Sequence, residues 1–318
     1  MKAALWGIGD HAKKNLIPAL HKVKNIDFVG VFTRNKEILS DVASSFDCKT
    51  WNSAEQMLGD KGLDTIFLST PPGLHYHQGL QIIHSGKNLI CEKPITTNFI
   101  ETKHLLDEAR RRKLLVFEAY MFLYHAHFSG INEFIRKNKD NLKLIELIFE
   151  LPKLSSPGYR FSDKLGGSCL YDVGSYTVLA LLELFKKDKI SLKSSNLKYD
   201  NDSNIDISGT ANFIINDQIN CYLKWSYNSE YANKIKIKTH NKEFFSEKIF
   251  SKDENYVPSI NLKNKNDDIV LERLESGNHF VSMLESFADC STSIKKRNLE
   301  LKRIESLASI LSKIKGMS

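Results

Sequence analysis

Gly86-Lys87-Asn88-Leu89-Ile90-Cys91-Glu92-Lys93-Pro94 is the stretch on which the reading of this chain turns. Gly86 can take the positive φ that closes a helix. Leu89, Ile90 and Cys91 make an apolar run fit for a parallel strand covered on both faces. Glu92, Lys93 and Pro94 then form a polar elbow at the strand's carboxyl end, outside which open α/β sheets bind their ligands. Pro94 fixes its own φ and bars Lys93 from the αR region. Alone, the tripeptide reads as an ordinary surface turn with a solvated lysine. Its weight comes from its surroundings.

Upstream, residues 2–6 form an apolar strand, and Gly7-Ile8-Gly9-Asp10-His11-Ala12 opens a helix in the pattern G-x-G-x-x-A. The first glycine permits the tight turn, the second lets the backbone approach a pyrophosphate, and the small third residue allows close helix–strand packing. Phosphate oxygens would sit on the helix N-terminus, with Asp10 and His11 beside them. Ala12, Leu16, Leu20 and Val23 supply the buried stripe. The next strand, 28–32, ends at Thr33-Arg34, about 20 residues past the glycines, where an NAD site places its ribose-binding carboxylate. No acid stands there. Thr33 can hydrogen-bond a 2′-phosphate and Arg34 can pair with it, so NADP is placed ahead of NAD, although Arg34 also reads as a solvated loop residue.

Residues 63–68 make another strand, ending in Ser69-Thr70-Pro71, and a helix follows with Tyr76, Leu80 and Ile83 on one face. His75 and His77 lack a matching cluster of ligands, so no metal is expected. A helix over 100–112 and a strand over 114–117 lead to Glu118-Ala119-Tyr120-Met121. The repeated β-α-β order predicts a doubly wound parallel sheet, a Rossmann dinucleotide-binding domain over 1–120. A second domain over 121–318 changes character. Residues 142–149 read as a long strand. Tyr159-Arg160 and Gly166-Gly167-Ser168 bracket a loop that feeds a helix over 170–185. Ile205, Ile207, Gly209, Ala211, Phe213 and Ile215 share one face, and Ile219, Cys221, Leu223 and Trp225 continue it after an Asn-Asp turn. Ile235 and Ile237 add a third strand. The expectation is a mostly antiparallel open sheet with one apolar face, its other face free to meet a twin subunit. Helices are expected around 280–287 and 304–314.

At 318 residues the chain has length for two domains, and 42% hydrophobic with 26% charged residues suits a globular protein. No apolar run reaches the ~18 residues of a membrane span. The start passes straight into a folding strand, so no signal peptide is expected. Five scattered cysteines without a CxxC point to reduced thiols in the cytoplasm. The +7 net charge is spread along the chain, which favours anionic small molecules over nucleic acid. The run Arg110–Lys113 reads as a helix end whose cations suit the dipole.

These residues resemble the Gfo/Idh/MocA oxidoreductases over nearly the whole chain. The likeness lies in G-x-G-x-x-A, the Thr70-Pro71 loop with His75, Glu92-Lys93-Pro94, Glu118-Ala119-Tyr120-Met121, and Gly166-Gly167-Ser168-Cys169-Leu170-Tyr171-Asp172-Val173-Gly174-Ser175-Tyr176. The resemblance implies hydride transfer between a nicotinamide and a sugar-like hydroxyl or ketone, in an active site between the two domains. It implies that Lys93 meets substrate and cofactor ribose across a Lys-Pro bond that is often cis, and that Asp172 and Tyr176 form the D-x-x-x-[HY] pair. A dimer or tetramer through the antiparallel sheet is usual for it.

Chemistry agrees with these assignments. Hydride transfer needs a matching proton transfer at the substrate oxygen, and a phenol beside an ammonium can provide it. Tyr176 then moves the proton, Lys93 polarises the oxygen, and Asp172, on the same helix face, positions substrate or lysine. The competing structural readings are a helix-start carboxylate for Asp172 and a core aromatic for Tyr176. Tyr159-Arg160 could bind an anionic group such as a sugar-nucleotide phosphate, or Arg160 could form a structural salt bridge.

Where the resemblance carries an arginine and a proline, this chain has Leu123 and Ala126. Ser168 replaces a third glycine, and Thr239-His240-Asn241-Lys242 replaces a glycine turn. Two other functions remain open: a non-catalytic dinucleotide-sensing regulator, which retention of Lys93 opposes, and an NAD-dependent glycosidase that uses transient oxidation.

Overall fold

The computed structural model describes residues 1–154, 158–263 and 268–317. They divide into two units, Met1–Tyr120 with Phe280–Ala308, and Met121–His279 with the residues from Ser309 on. The expected division ran the second domain unbroken from 121 to 318. Instead the chain rejoins the first unit at Phe280. Phe287 meets Phe117 edge-on with ring centroids 5.6 Å apart, and Leu301 and Ile304 enter the first unit's core. Burying those apolar side chains outweighs continuity of the chain.

The first unit is built on β1 (Lys2–Trp6), β2 (Asp27–Phe32), β3 (Lys49–Thr50), β4 (Thr65–Leu68), β5 (Asn88–Cys91) and β6 (Val116–Glu118). They pair in parallel in the order β3-β2-β1-β4-β5-β6, which is the doubly wound order with its switch point between β1 and β4. Every residue of β4 and Leu89, Ile90 and Cys91 of β5 are buried, as strands covered on both faces must be.

The first helix departs from the simple pattern. Ala12–Leu16 is a wide π turn in which the Ile17 N–H reaches the Ala12 carbonyl, and Ile17–Lys22 continues as α. Pro18 explains the widening: it has no N–H, and its ring presses on the carbonyl four residues back. Further on, Asn98 caps the helix Phe99–Arg112 by accepting from the Ile100 and Glu101 amides, and Lys113 closes it at φ 59°. The arginines of its last turn are paired with Asp107, Glu108 and Glu305.

In the second unit β7 (Leu142–Glu150), β8 (Ile190–Tyr199), β9 (Asp206–Ile215), β10 (Ile219–Ser226), β11 (Ala232–Thr239), β12 (Glu243–Glu247), β13 (Ser259–Leu262) and β14 (Ile269–Arg273) form one sheet. Its order is β14-β13-β12-β11-β7-β10-β9-β8, with β7 and β10 parallel and all other pairs antiparallel. The alternation read from β9, β10 and β11 holds: Ala211, Phe213, Ile215, Cys221, Leu223, Trp225, Ile235 and Ile237 are buried on one face. Asn216 and Asp217 both take positive φ, the geometry a tight hairpin needs.

The helix over the buried face also opens with a π turn, Leu170–Gly174, and continues as Ser175–Leu184. Among the described residues Asp163–Leu184 is the one stretch long and apolar enough to cross a membrane, and 78% of its most apolar 18-residue window is buried inside the fold. Trp225, fully buried on β10, explains the close fit beneath this helix. A Cβ on Gly174 would stand 2.8 Å from its ring, and one on Gly209 2.6 Å.

Candidate active site

In the first unit the candidate residues gather at the carboxyl ends of β1, β4 and β5. Gly7 sits at φ +98°, its amide donating to the Phe32 carbonyl at 2.8 Å. A Cβ there would lie 2.7 Å from Thr70 Cγ2 and 2.8 Å from the Ser69 carbonyl carbon, so glycine is required by the neighbouring loop as well as by φ. Gly9 is different. A Cβ on it would meet nothing within 4 Å, and the helix starts immediately after. Open space in front of helix amides is what a pyrophosphate needs, so these residues fit a dinucleotide.

Thr33 and the exposed Arg34 follow β2, before Asn35 caps the next helix through the Ile38 amide. Thr70 donates from Oγ1 to Gln78 at 2.6 Å, and Pro71 leads into the helix Pro72–His84.

Asp10 is exposed at the helix start. His11 is engaged by both ring nitrogens, with Glu92 at 3.4 Å and Asn15 at 3.0 Å. Burial alone would raise the Glu92 carboxyl; the hydrogen bond from His11 and the nearby Lys93 charge overcome it, and its pKa lies below the ordinary value. The Lys93–Pro94 bond is cis, as the resemblance implies.

His75, expected among the cofactor-binding residues, is buried. The residue is 1% exposed, with Nδ1 2.8 Å from the Pro94 carbonyl and Nε2 2.7 Å from the Thr70 carbonyl. Both ring nitrogens are taken by the loops that follow β4 and β5. Burial pushes its pKa below the ordinary value against the pull of those carbonyls and Glu92. Glu118 acts on the same elbow. It is 2% exposed at the end of β6, and its Oε1 accepts the Ile95 amide at 2.8 Å. Burial raises its pKa to about 7, against the opposing Arg303 charge.

In the second unit Asp172 lies in the π turn and Tyr176 on the α-helix that follows, so they do not share one regular α-helical face. Asp172 is 7% exposed. Its Oδ2 accepts from Arg160 Nε at 2.6 Å and from the Tyr227 hydroxyl at 3.0 Å. Arg160 therefore forms a salt bridge with Asp172. Burial opposes its charge, Asp172 overrides that, and the guanidinium is held above its usual pKa. Arg160 also lies over the half-buried Tyr159 ring, 5.1 Å from its centroid. Gly167 permits this arrangement, since a Cβ on it would stand 2.4 Å from the Arg160 carbonyl oxygen.

Tyr176 is 6% exposed, its hydroxyl 3.7 Å from Met121 Sδ, among the rings of Phe122, Phe149 and Phe250. Two departures from the resemblance have plain structural outcomes. Ser168 Oγ accepts the Tyr171 amide at 3.2 Å and so caps the turn that carries Asp172. Ala126 occupies the first position of the helix Ala126–Lys137, capped by His125, where proline would also fit.

Sequence reasoning assigned no role to Glu118 or Tyr227. Glu118 stands at a strand's carboxyl end, as Glu92 does, and that position was a usable signal. For Tyr227, just beyond β10, no spacing gave one. Among the described residues no group of histidine, cysteine, aspartate or glutamate side chains is placed to hold a metal.

A glycine-turned strand–helix junction at the head of a 3-2-1-4-5-6 parallel sheet defines a dinucleotide-binding Rossmann unit. Residues 1–120 match the GFO_IDH_MocA family model, described as the oxidoreductase family with NAD-binding Rossmann fold. The chain is 25% identical over 212 residues to the dTDP-3,4-didehydro-2,6-dideoxy-alpha-D-glucose 3-reductase of Saccharopolyspora spinosa, covering 66% of this chain and 64% of that protein. The protein of the same name in Actinomadura kijaniata is 20% identical over 289 residues, 91% of this chain and 86% of the relative. A crystal structure of a 3-ketoreductase from Actinomadura kijaniata with NADP and TDP-benzene superposes with a TM-score of 0.93 at 18% identity, covering 100% of this chain and 97% of that one. That similarity establishes the fold.

Proposed function

We propose that the chain is an NADP-dependent oxidoreductase that interconverts the ketone and hydroxyl of a sugar carried on a nucleoside diphosphate. One observation carries the reading: Lys93 is retained at the carboxyl end of β5, next to Glu92, which contacts His11 just after the glycine turn of an NAD-binding Rossmann unit. A dinucleotide sensor needs the turn but has no use for an ammonium at that place. The relatives' names support a dTDP-linked keto sugar as the substrate class.

When bound, NADP supplies the hydride donor or acceptor. The amides after Gly9 take the pyrophosphate, and Thr33 and Arg34 take the 2′-phosphate. Lys93 polarises the substrate oxygen and Tyr176 exchanges a proton with it. Asp172, fixed by Arg160 and Tyr227, orients substrate. Tyr159 and the outer edge of Arg160 face the nucleotide part of the substrate. Five free cysteines suit a reducing, cytoplasmic compartment. The polar outer face of the eight-stranded sheet suits a homodimer or homotetramer, which size-exclusion chromatography with light scattering measures.

The test is a screen of free and dTDP-linked keto sugars with NADPH and with NADH, followed by the absorbance of the reduced nicotinamide. Net NADPH consumption is expected, and Lys93→Met and Tyr176→Phe should each lower turnover by more than about tenfold. Tight dinucleotide retention without net turnover on any sugar would refute the reading.

A further inference from the structure

We infer that Glu118 and His75 are positioning residues for Lys93: they grip a single peptide group, the one joining Pro94 to Ile95, at its two poles. The carbonyl of that group is Pro94's, 2.8 Å from His75 Nδ1. The N–H is Ile95's, donated to Glu118 Oε1 at 2.8 Å. In a trans peptide the two poles point in opposite directions, so contacts to both fix the orientation of the plane. The proline ring fixes φ on the near side. The backbone one residue beyond Lys93 therefore has no soft dihedral left.

Both grips are buried. A neutral imidazole carries one N–H, and the Nδ1–H tautomer gives it to the Pro94 carbonyl, with the Thr70 carbonyl 2.7 Å from Nε2. Beside Glu118, Arg303 donates from Nη2 to the Glu118 carbonyl at 3.0 Å and pairs with Glu300. The Glu118 amide donates to Glu300 as well, at 3.2 Å. Buried polar groups can be paired anywhere; here the pairing is spent on the peptide next to the one lysine the chemistry needs. A misplacement of about 1 Å in a reacting group costs on the order of a hundredfold in rate.

This inference rests on the role proposed for Lys93, so Lys93→Met is assayed alongside. The full chain carries Glu118→Ala, Glu118→Gln or His75→Gln. Three quantities are measured: amide hydrogen exchange at Ile95, the dissociation constant for NADPH, and kcat with the best keto sugar from the screen. For Glu118→Ala, Ile95 exchange should accelerate and kcat fall by at least about tenfold each, with NADPH affinity within about threefold. Glu118→Gln keeps the acceptor oxygen and should hold all three within about threefold of the parent. His75→Gln keeps an N–H donor but not the ring's fixed placement and should fall between.

Unchanged Ile95 exchange in Glu118→Ala overturns the inference. So does a kcat within about twofold of the parent while Lys93→Met is inactive. Should Glu118→Ala fail to fold, Glu118→Asp, with its shorter reach, replaces it under the same expectations. An active Lys93→Met refutes the role of Lys93 itself, and the Ile95 exchange then reports on the grip independently.

Discussion

Replacing Arg160 by leucine tests how the second unit holds its carboxylate. The guanidinium contacts Asp172 Oδ2 at 2.6 Å, and Asp172 is 7% exposed. Removing one partner of a fully buried ion pair costs about 3–5 kcal/mol. Here the Arg160 side chain is 33% exposed, so solvent screening lowers the figure, and the Tyr227 hydroxyl stays at 3.0 Å. About 2 kcal/mol is the reasonable loss after that discount. At about 2–4 °C per kcal/mol for a unit of this size, melting should fall by about 4–8 °C.

The assay is thermal unfolding followed by tryptophan fluorescence, to which the buried Trp225 of this unit contributes. The double variant Arg160→Leu with Asp172→Asn removes the stranded charge and keeps an acceptor for Tyr227. It should recover most of the loss. A melting point for Arg160→Leu within about 1 °C of the parent would refute the argument. A double variant no more stable than Arg160→Leu would do the same. If the arginine served chiefly to bind an anionic substrate, KM would rise while melting stayed put.

Gly167→Ala places a Cβ 2.4 Å from a backbone oxygen, so a loss of about 2 kcal/mol or more is expected, read as a lower urea midpoint. Arg34→Ala should raise KM for NADPH at least about tenfold and leave KM for NADH nearly unchanged, checked by initial rates with each dinucleotide. Glu118 gives a pH dependence, since its carboxyl stands at about 7 in the folded protein against an ordinary 4.5. Between those values the folded protein holds a proton that the unfolded chain has released, so stability falls as pH rises from 4.5 to about 7 and then levels off. The gap is worth up to about 3 kcal/mol, and Glu118→Gln should flatten that slope in urea unfolding at pH values on either side of the window.

Much of the first unit was legible because its strands are buried on both faces and announce themselves as short apolar runs between glycines and prolines. The central strands β7, β9, β10 and β11 were legible for the complementary reason, an alternation against one buried face. The edge strands were not. In β8 a single residue, Leu197, is buried, and β14 is exposed throughout, so neither carries a periodic hydrophobic signal. Their pairing is decided by the ladder on the neighbouring strand. The return of the chain at Phe280 was illegible because a helix's apolar stripe states that it packs, not against which partner.

The candidate site divides along the same line. Lys93, Gly7 and Gly9 could be placed because each occupies a position fixed by local backbone geometry: a strand's carboxyl end, a positive φ, a helix start. His75 could not be placed from sequence because both fates of a histidine in that loop, ligand contact or burial, begin from one sequence. What decided it was the presence of two carbonyl oxygens, at Thr70 and Pro94, that no local rule brings together. Asp172 shows the remaining difficulty. A spacing of four puts it above Tyr176 on an α-helix, but Ser175 donates back five residues to Leu170, and the π turn alters that register. The turn lies where Gly174 brings the backbone against Trp225 and Ser168 caps the start. A bulky residue at 174 would have to displace the indole, so the placing of Asp172 depends on tertiary packing that helical periodicity does not contain.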